Sequence, residues 1–95
     1  INSDEAFILH SDTPLDLKLH VRGYVKKLLS EVKLVPNQNI QELNDTWLCV
    51  DATMGHTTEF ENWVISHSSE IKVIEPFHFR EKIIRRLKET LSLYD

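Results

Sequence analysis

The stretch Phe60–Tyr94, FENWVISHSSEIKVIEPFHFREKIIRRLKETLSLY, changes its hydrophobic period twice within one short passage. Phe60, Trp63 and Val64 recur at helical spacing, Ile71 and Val73 alternate as in a strand, and Phe79, Ile83, Leu87 and Leu91 return to the helical period. No long linker separates the three segments. A helix, a strand and a second helix in such close succession are the mark of an α/β unit, and Pro76 stands where a proline is tolerated, in the first turn of the second helix. Ser68-Ser69 stops the first helix, and Ile71–Ile74 is the strand.

Working outward towards the N-terminus, Leu15, Leu17, Leu19 and Val21 alternate with Asp16, Lys18, His20 and Arg22. That pattern predicts a half-buried strand with one apolar and one polar face. Gly23 punctuates, and Val25, Leu28, Leu29 and Val32 then follow the spacing of an amphipathic helix with Lys26, Lys27, Ser30 and Glu31 outside. Pro36-Asn37-Gln38-Asn39 ends that run. A short segment Ile40–Leu43 leads through Asn44-Asp45, a hairpin turn, into a third strand over Thr46–Met54 closed by Gly55-His56-Thr57. Thr58 with Glu61 three residues on has the form of a capping box for the next helix, whose inner face would carry Phe60, Trp63, Val64 and His67.

The resulting order is βαββαβ plus a C-terminal helix. It predicts an α+β, ferredoxin-like fold: a four-stranded antiparallel sheet with helices on one face. Residues 1–14 carry few packing signals beyond Phe7, Ile8 and Leu9 and end in the turn-forming cluster Ser11-Asp12-Thr13-Pro14, so they read as a connector to a domain at 15–95.

Composition narrows the functional classes. Ninety-five residues, 41% apolar and 27% charged with 2 Gly and 3 Pro, make one small folded domain without a cleft between lobes. A net charge of −4 and a pI near 5.7 give no general attraction for a phosphate backbone. The single Cys49, among Trp47, Leu48 and Val50, excludes an internal disulfide framework and reads as a buried small hydrophobe. No apolar run reaches the length of a membrane span and no secretory layout opens the chain, so a cytoplasmic protein without membrane contact is expected. The start, at Ile1 rather than Met, reads like a piece of something longer.

The passage from Trp63 to Arg80, with Val73-Ile74-Glu75-Pro76, Phe79-Arg80 and then Ile84, Leu87 and Tyr94, resembles the C-terminal extension (WCX) of the WYL-domain family of bacterial transcriptional regulators. The alternating strand Leu15–Val21 and the helix after it look like the start of the same extension, so the resemblance covers roughly residues 15–95. Two positions depart from the family pattern. Ser68 replaces a turn glycine, which implies a left-handed backbone held by a non-glycine residue, and Phe79 replaces a leucine. The chain has no Trp-Tyr-Leu tripeptide. The resemblance thus implies that residues 1–14 lead from a preceding WYL domain, and that this domain and a DNA-reading helix-turn-helix lie outside the 95 residues. It further implies a regulatory, dimerising role: the domain would pair with a second copy or dock on its own WYL domain, and DNA would be bound only by the N-terminal part of the parent protein.

Candidate chemistry is sparse. Five histidines, His10, His20, His56, His67 and His78, form no helical ligand pair, and no metal or cofactor is expected. Glu59 and Glu61 fall on different faces of their helix, and no catalytic carboxylate pair is visible. Arg22-Gly23 lies where ferredoxin-like acylphosphatases place an arginine, but the glycine-rich loop is missing, so no enzyme is expected. Trp47, Trp63, Phe77, Phe79 and Tyr94 do not form an exposed stacking stripe and read mostly as core. The final helix carries Arg80, Lys82, Arg85, Arg86 and Lys88, mainly a solvated face. Arg80 stands apart: it lies one turn before Ile84 at the edge of the apolar stripe, where its guanidinium can make a fixed contact. The family resemblance keeps an arginine there. Arg80 and Arg22 are therefore the candidate residues for an effector or interdomain contact. A nucleotide or single-stranded nucleic acid held as effector by a small-molecule binding module is the alternative to the assembly role.

Overall fold

β1, Thr13–Val21, is the strand on which the sheet is built, and its four alternating aliphatic residues decide which way the sheet faces. In the computed structural model, which describes residues 13–95, it is followed by α1 (Gly23–Glu31), β2 (Asn39–Glu42), β3 (Leu48–His56), α2 (Thr58–Ser66), β4 (Ile71–Glu75) and α3 (Phe77–Ser92). The strands lie in the order β2–β3–β1–β4 and every pairing is antiparallel. This is the ferredoxin-like α+β arrangement with an added C-terminal helix. The connector expected at 1–14 lies outside the described residues up to position 12, and β1 takes in its last two residues, Thr13 and Pro14.

Register makes the two faces of the sheet unlike. Leu15, Leu17, Leu19 and Val21 stand opposite Met54, Ala52, Val50 and Leu48, while Leu19 and Val21 also meet Val73 and Ile71 on the other side. With a side-chain period of two, all of these point one way. Against them pack Val25 and Leu29 of α1, Phe60 and Val64 of α2, and Phe79 and Ile83 of α3, in one contiguous core. All three helices therefore cover the same face. Phe79, fully buried, sits at its centre, with its ring stacked on Phe60 at 5.8 Å and edge-on to His56 at 5.2 Å.

Local chemistry moved several expected boundaries. β3 continues through His56 because Gly55 and His56 pair with Pro14 and Thr13 rather than closing a hairpin. The cap of α2 is Thr57, not Thr58: its Oγ1 accepts from the Phe60 N–H at 3.1 Å, which puts Glu61 one position past the capping-box site. Val32 lies beyond the end of α1, in extended backbone, and is exposed. There Gln38 takes over: its Nε2 donates to the Leu29 carbonyl and its Oε1 accepts from the Leu34 N–H, so a buried amide closes the helix. Pro76 is the N-cap residue of α3 rather than its first-turn residue. Ser68 needs no left-handed backbone, since no described residue other than Gly23 has a positive φ. Of the aromatics read mostly as core, Trp47 and Trp63 are half-buried and Phe77 and Tyr94 are exposed.

α3 is held to the body by charge as well as by Phe79 and Ile83. Glu61, buried on α2, receives Arg86 at 2.7 Å, Lys82 at 3.2 Å and the His56 ring at 3.0 Å. Burial alone would push its carboxyl up, but the hydrogen bonds from His56, Arg86 and Lys82 outweigh that and bring it down to about 2 from an ordinary 4.5. A depressed carboxyl stabilises the fold above its unfolded value and loses that contribution as pH falls through its folded one, so about 3 kcal/mol should disappear between pH 4.5 and 2. In Glu61→Gln that contribution should already be missing at pH 7. Urea unfolding of both proteins across this window checks it: the difference between them should shrink on acidification, and parallel profiles would contradict the ion cluster.

Candidate functional site

The end of β1 and the turn between α2 and β4 are tied together by an unusual exchange of caps. Arg22, the N-cap residue of α1, makes no side-chain cap of its own. The orphan N–H groups of Tyr24 and Val25 donate instead to the two carboxylate oxygens of Glu70, each at 3.2 Å, from 46 and 45 positions further along the chain. Negative charge at a helix N-terminus also suits the helix dipole. Gly23 is required there for two reasons: its φ is +60°, and a Cβ would overlap the Glu70 carboxylate. The turn after β1, where acylphosphatases of this fold place an arginine, is thus occupied by the chain's own carboxylate.

Arg22 completes the tie from the other direction. Its backbone N–H donates to the Glu70 carbonyl at 3.0 Å, and Nε and Nη2 both donate to the Ser69 carbonyl at 3.1 and 2.9 Å. The guanidinium also lies over the Trp47 ring, 5.2 Å from its centroid. Trp47 is itself fixed by the β2–β3 loop, where Asn44 Oδ1 accepts from the N–H groups of Thr46 and Trp47. Arg22 had been counted with the polar face of β1; the structure turns it to the α2–β4 turn instead.

Beside this tie a cavity of about 470 Å³ opens between β4 and α3. Its apolar wall comes from Ile71 and Val73 of β4 and from Ile83, Ile84 and Leu87 of α3. Arg22, Lys72 and Arg80 line it as well. The two candidate arginines, which no local pattern connects, therefore border one cavity. The basic run of the last helix divides by role: Lys82 and Arg86 hold Glu61, Arg85 and Lys88 face solvent, and the half-buried Arg80 side chain makes no hydrogen bond or ion pair among the described residues.

Among the described residues no helix lies on the opposite face of the sheet. Its side chains include Asp16, Lys18 and His20 of β1, Gln41 of β2, Cys49, Asp51 and Thr53 of β3 and Lys72 of β4, as the register places them. His20 is lowered from the ordinary histidine value, first by burial and then by Lys72 and Lys18. Cys49, opposite His20, is buried, and burial with the neighbouring Asp51 raises its thiol, so it stays protonated near neutral pH. Among the described residues no three His, Cys, Asp or Glu side chains gather as metal ligands, and no helix is long and apolar enough to cross a membrane; His10 lies outside those residues.

Sequence reasoning missed Glu70, whose local pattern gives no sign of its role, and gave Glu61 a local role as a capping-box residue; only their distant partners distinguish the two.

Compared with models of known protein families, the chain matches the WCX domain over residues 13–91, which spans every strand and almost all of α3. No curated protein and no solved structure matches it. The matched span holds β1 from its first residue, the Arg22–Glu70 tie, the Pro76 junction and Arg80, so the features that build the cavity are all inside it. On that match the chain belongs to the WCX domain family.

Proposed function

We propose that this domain is the regulatory C-terminal part of a WYL-type bacterial transcriptional regulator, acting by assembly rather than by chemistry. Its open sheet face meets the same face of a second copy, or the parent protein's own WYL domain, and thereby couples effector sensing to the geometry of a distant helix-turn-helix. DNA would be bound only by that distant part. Membership of the WCX family supports the regulatory setting.

The observation that carries the assembly role is the asymmetry of the sheet. Three helices cover one face and, among the described residues, none covers the other, where Asp16, Lys18, His20, Gln41 and Thr53 leave a polar, partly exposed surface. Such a surface suits a reversible contact, because its side chains are satisfied by water when apart and by each other when joined. His20, near the C-terminal end of β1 between Cys49 and Lys72, is the group that acidification would charge on that face.

Sedimentation equilibrium across micromolar concentrations tests this. The chain should self-associate, and His20→Glu or Gln41→Arg, each placing a new charge on the open face, should weaken the association at least tenfold with an unchanged melting curve. Since His20 is lowered from 6.5, the wild-type association should weaken only as pH drops below that value, when a third cation joins Lys18 and Lys72. A monomer at every concentration would rule out pairing with a second copy, and a dimer indifferent to both substitutions would contradict the open face as the contact.

A further inference from the structure

We propose that the cavity between α3 and β4 is a binding site for a small organic anion with an apolar body, of the class of medium-chain or aryl carboxylates and phosphate monoesters. Nothing in the assembly role requires such a site, and the inference does not rest on it.

The charge balance of the cavity is the first argument. The chain as a whole carries −4, yet the cavity is bordered by Arg22, Lys72 and Arg80 and by no carboxylate. Elsewhere on the same helix the cations that point inward have a carboxylate partner, as Lys82 and Arg86 have Glu61. Arg80 is half-buried with none among the described residues. A guanidinium held at the rim of an apolar wall is weakly hydrated and presents a planar fork of donors suited to a carboxylate or phosphate. Arg22 uses two N–H groups on Ser69 and keeps the other three of its five for a ligand.

The wall is the second argument. Arg80, Ile83, Ile84 and Leu87 form one stripe along about 10 Å of α3, two turns of helix, with the cation at one end and aliphatic groups along the rest. Ile71 and Val73 face them from β4, which is an edge strand and so leaves room beside it. About 470 Å³ lies within the range of small-molecule sites. An aliphatic trough ending in an unpaired cation matches an amphipathic anion. It suits a nucleotide poorly, because Trp47, the aromatic ring on the lining, already has the Arg22 guanidinium over it, and Ser68 and Ser69 are the hydroxyl side chains there to meet a ribose or a base edge.

The test is a titration of the ¹⁵N-labelled chain followed by amide chemical shifts, with octanoate, phenyl phosphate, octanol, inorganic phosphate and adenosine monophosphate as probes. Octanoate and phenyl phosphate should move the amides of Ile71, Val73, Ile84 and Leu87 and saturate, whereas octanol and inorganic phosphate should each bind at least tenfold more weakly. Arg80→Gln should lose at least tenfold in octanoate affinity while melting as the wild type does, and Lys72→Gln, at an exposed position, should lose two- to threefold. Octanol binding as well as octanoate would reduce the site to an apolar trough. Equal binding of inorganic phosphate would reduce it to a basic patch, and saturation by adenosine monophosphate without octanoate would make it a nucleotide site. Any of these, or unaltered octanoate binding by folded Arg80→Gln, overturns the proposal.

Discussion

The Glu70 carboxylate, seated on the first turn of α1, is the interaction on which the rest of this domain's functional surface depends. It satisfies two backbone donors that Arg22 leaves open, and it can do so only because Gly23 has no Cβ and accepts a φ of +60°. In return the α2–β4 turn is pinned to the end of β1, where the Arg22 guanidinium holds Ser69 and covers Trp47. That tie sets where β4 begins, and β4 is one wall of the cavity. A helix cap of this kind is local chemistry with a long-range effect, because cap and helix are 46 and 45 positions apart along the chain.

A second carboxylate does the corresponding work at α3. Glu61 draws Lys82 and Arg86 inward and leaves Arg80, on a different side of the same helix, at the cavity. The two acidic side chains thus sort the basic residues by position: those that meet a carboxylate are structural, those that face water keep the helix solvated, and Arg80, half-buried at the cavity, has no carboxylate partner among the described residues. An acidic domain with a locally cationic cavity follows from this sorting and not from the overall charge.

How much of this the sequence disclosed follows the range of each interaction. The period-two pattern of Leu15–Val21 and the helical stripe from Phe79 to Leu87 are local, and they were enough to read the element order, the antiparallel sheet and the one-sided helical layer. Arg80 was legible for the same reason, since its spacing from Ile84 places it on the stripe's edge. Arg22 was singled out by its place before a glycine, but its real partner, Ser69, is 47 positions away and gave no local sign. Glu61 looked like part of a capping box because the spacing from Thr58 fits one; Thr57 proved the better cap, and three basic or ring nitrogens from β3 and α3 claimed the carboxylate. Ser68 looked strained only by analogy with a glycine, and its backbone needs no left-handed turn.

The central claim is that Glu70 and Gly23 form one physical unit, and a double-mutant cycle on that pair measures it directly. Gly23→Ala, Glu70→Ala and the double variant are compared by urea unfolding at neutral pH. If the carboxylate occupies the space that a Cβ would need, adding that Cβ harms the wild type more than it harms the Glu70→Ala protein. The coupling should then be about 1 kcal/mol or more, leaving in the second background only the strain of a left-handed alanine. Additivity within about 0.3 kcal/mol would mean that the two residues act independently, and would contradict the account.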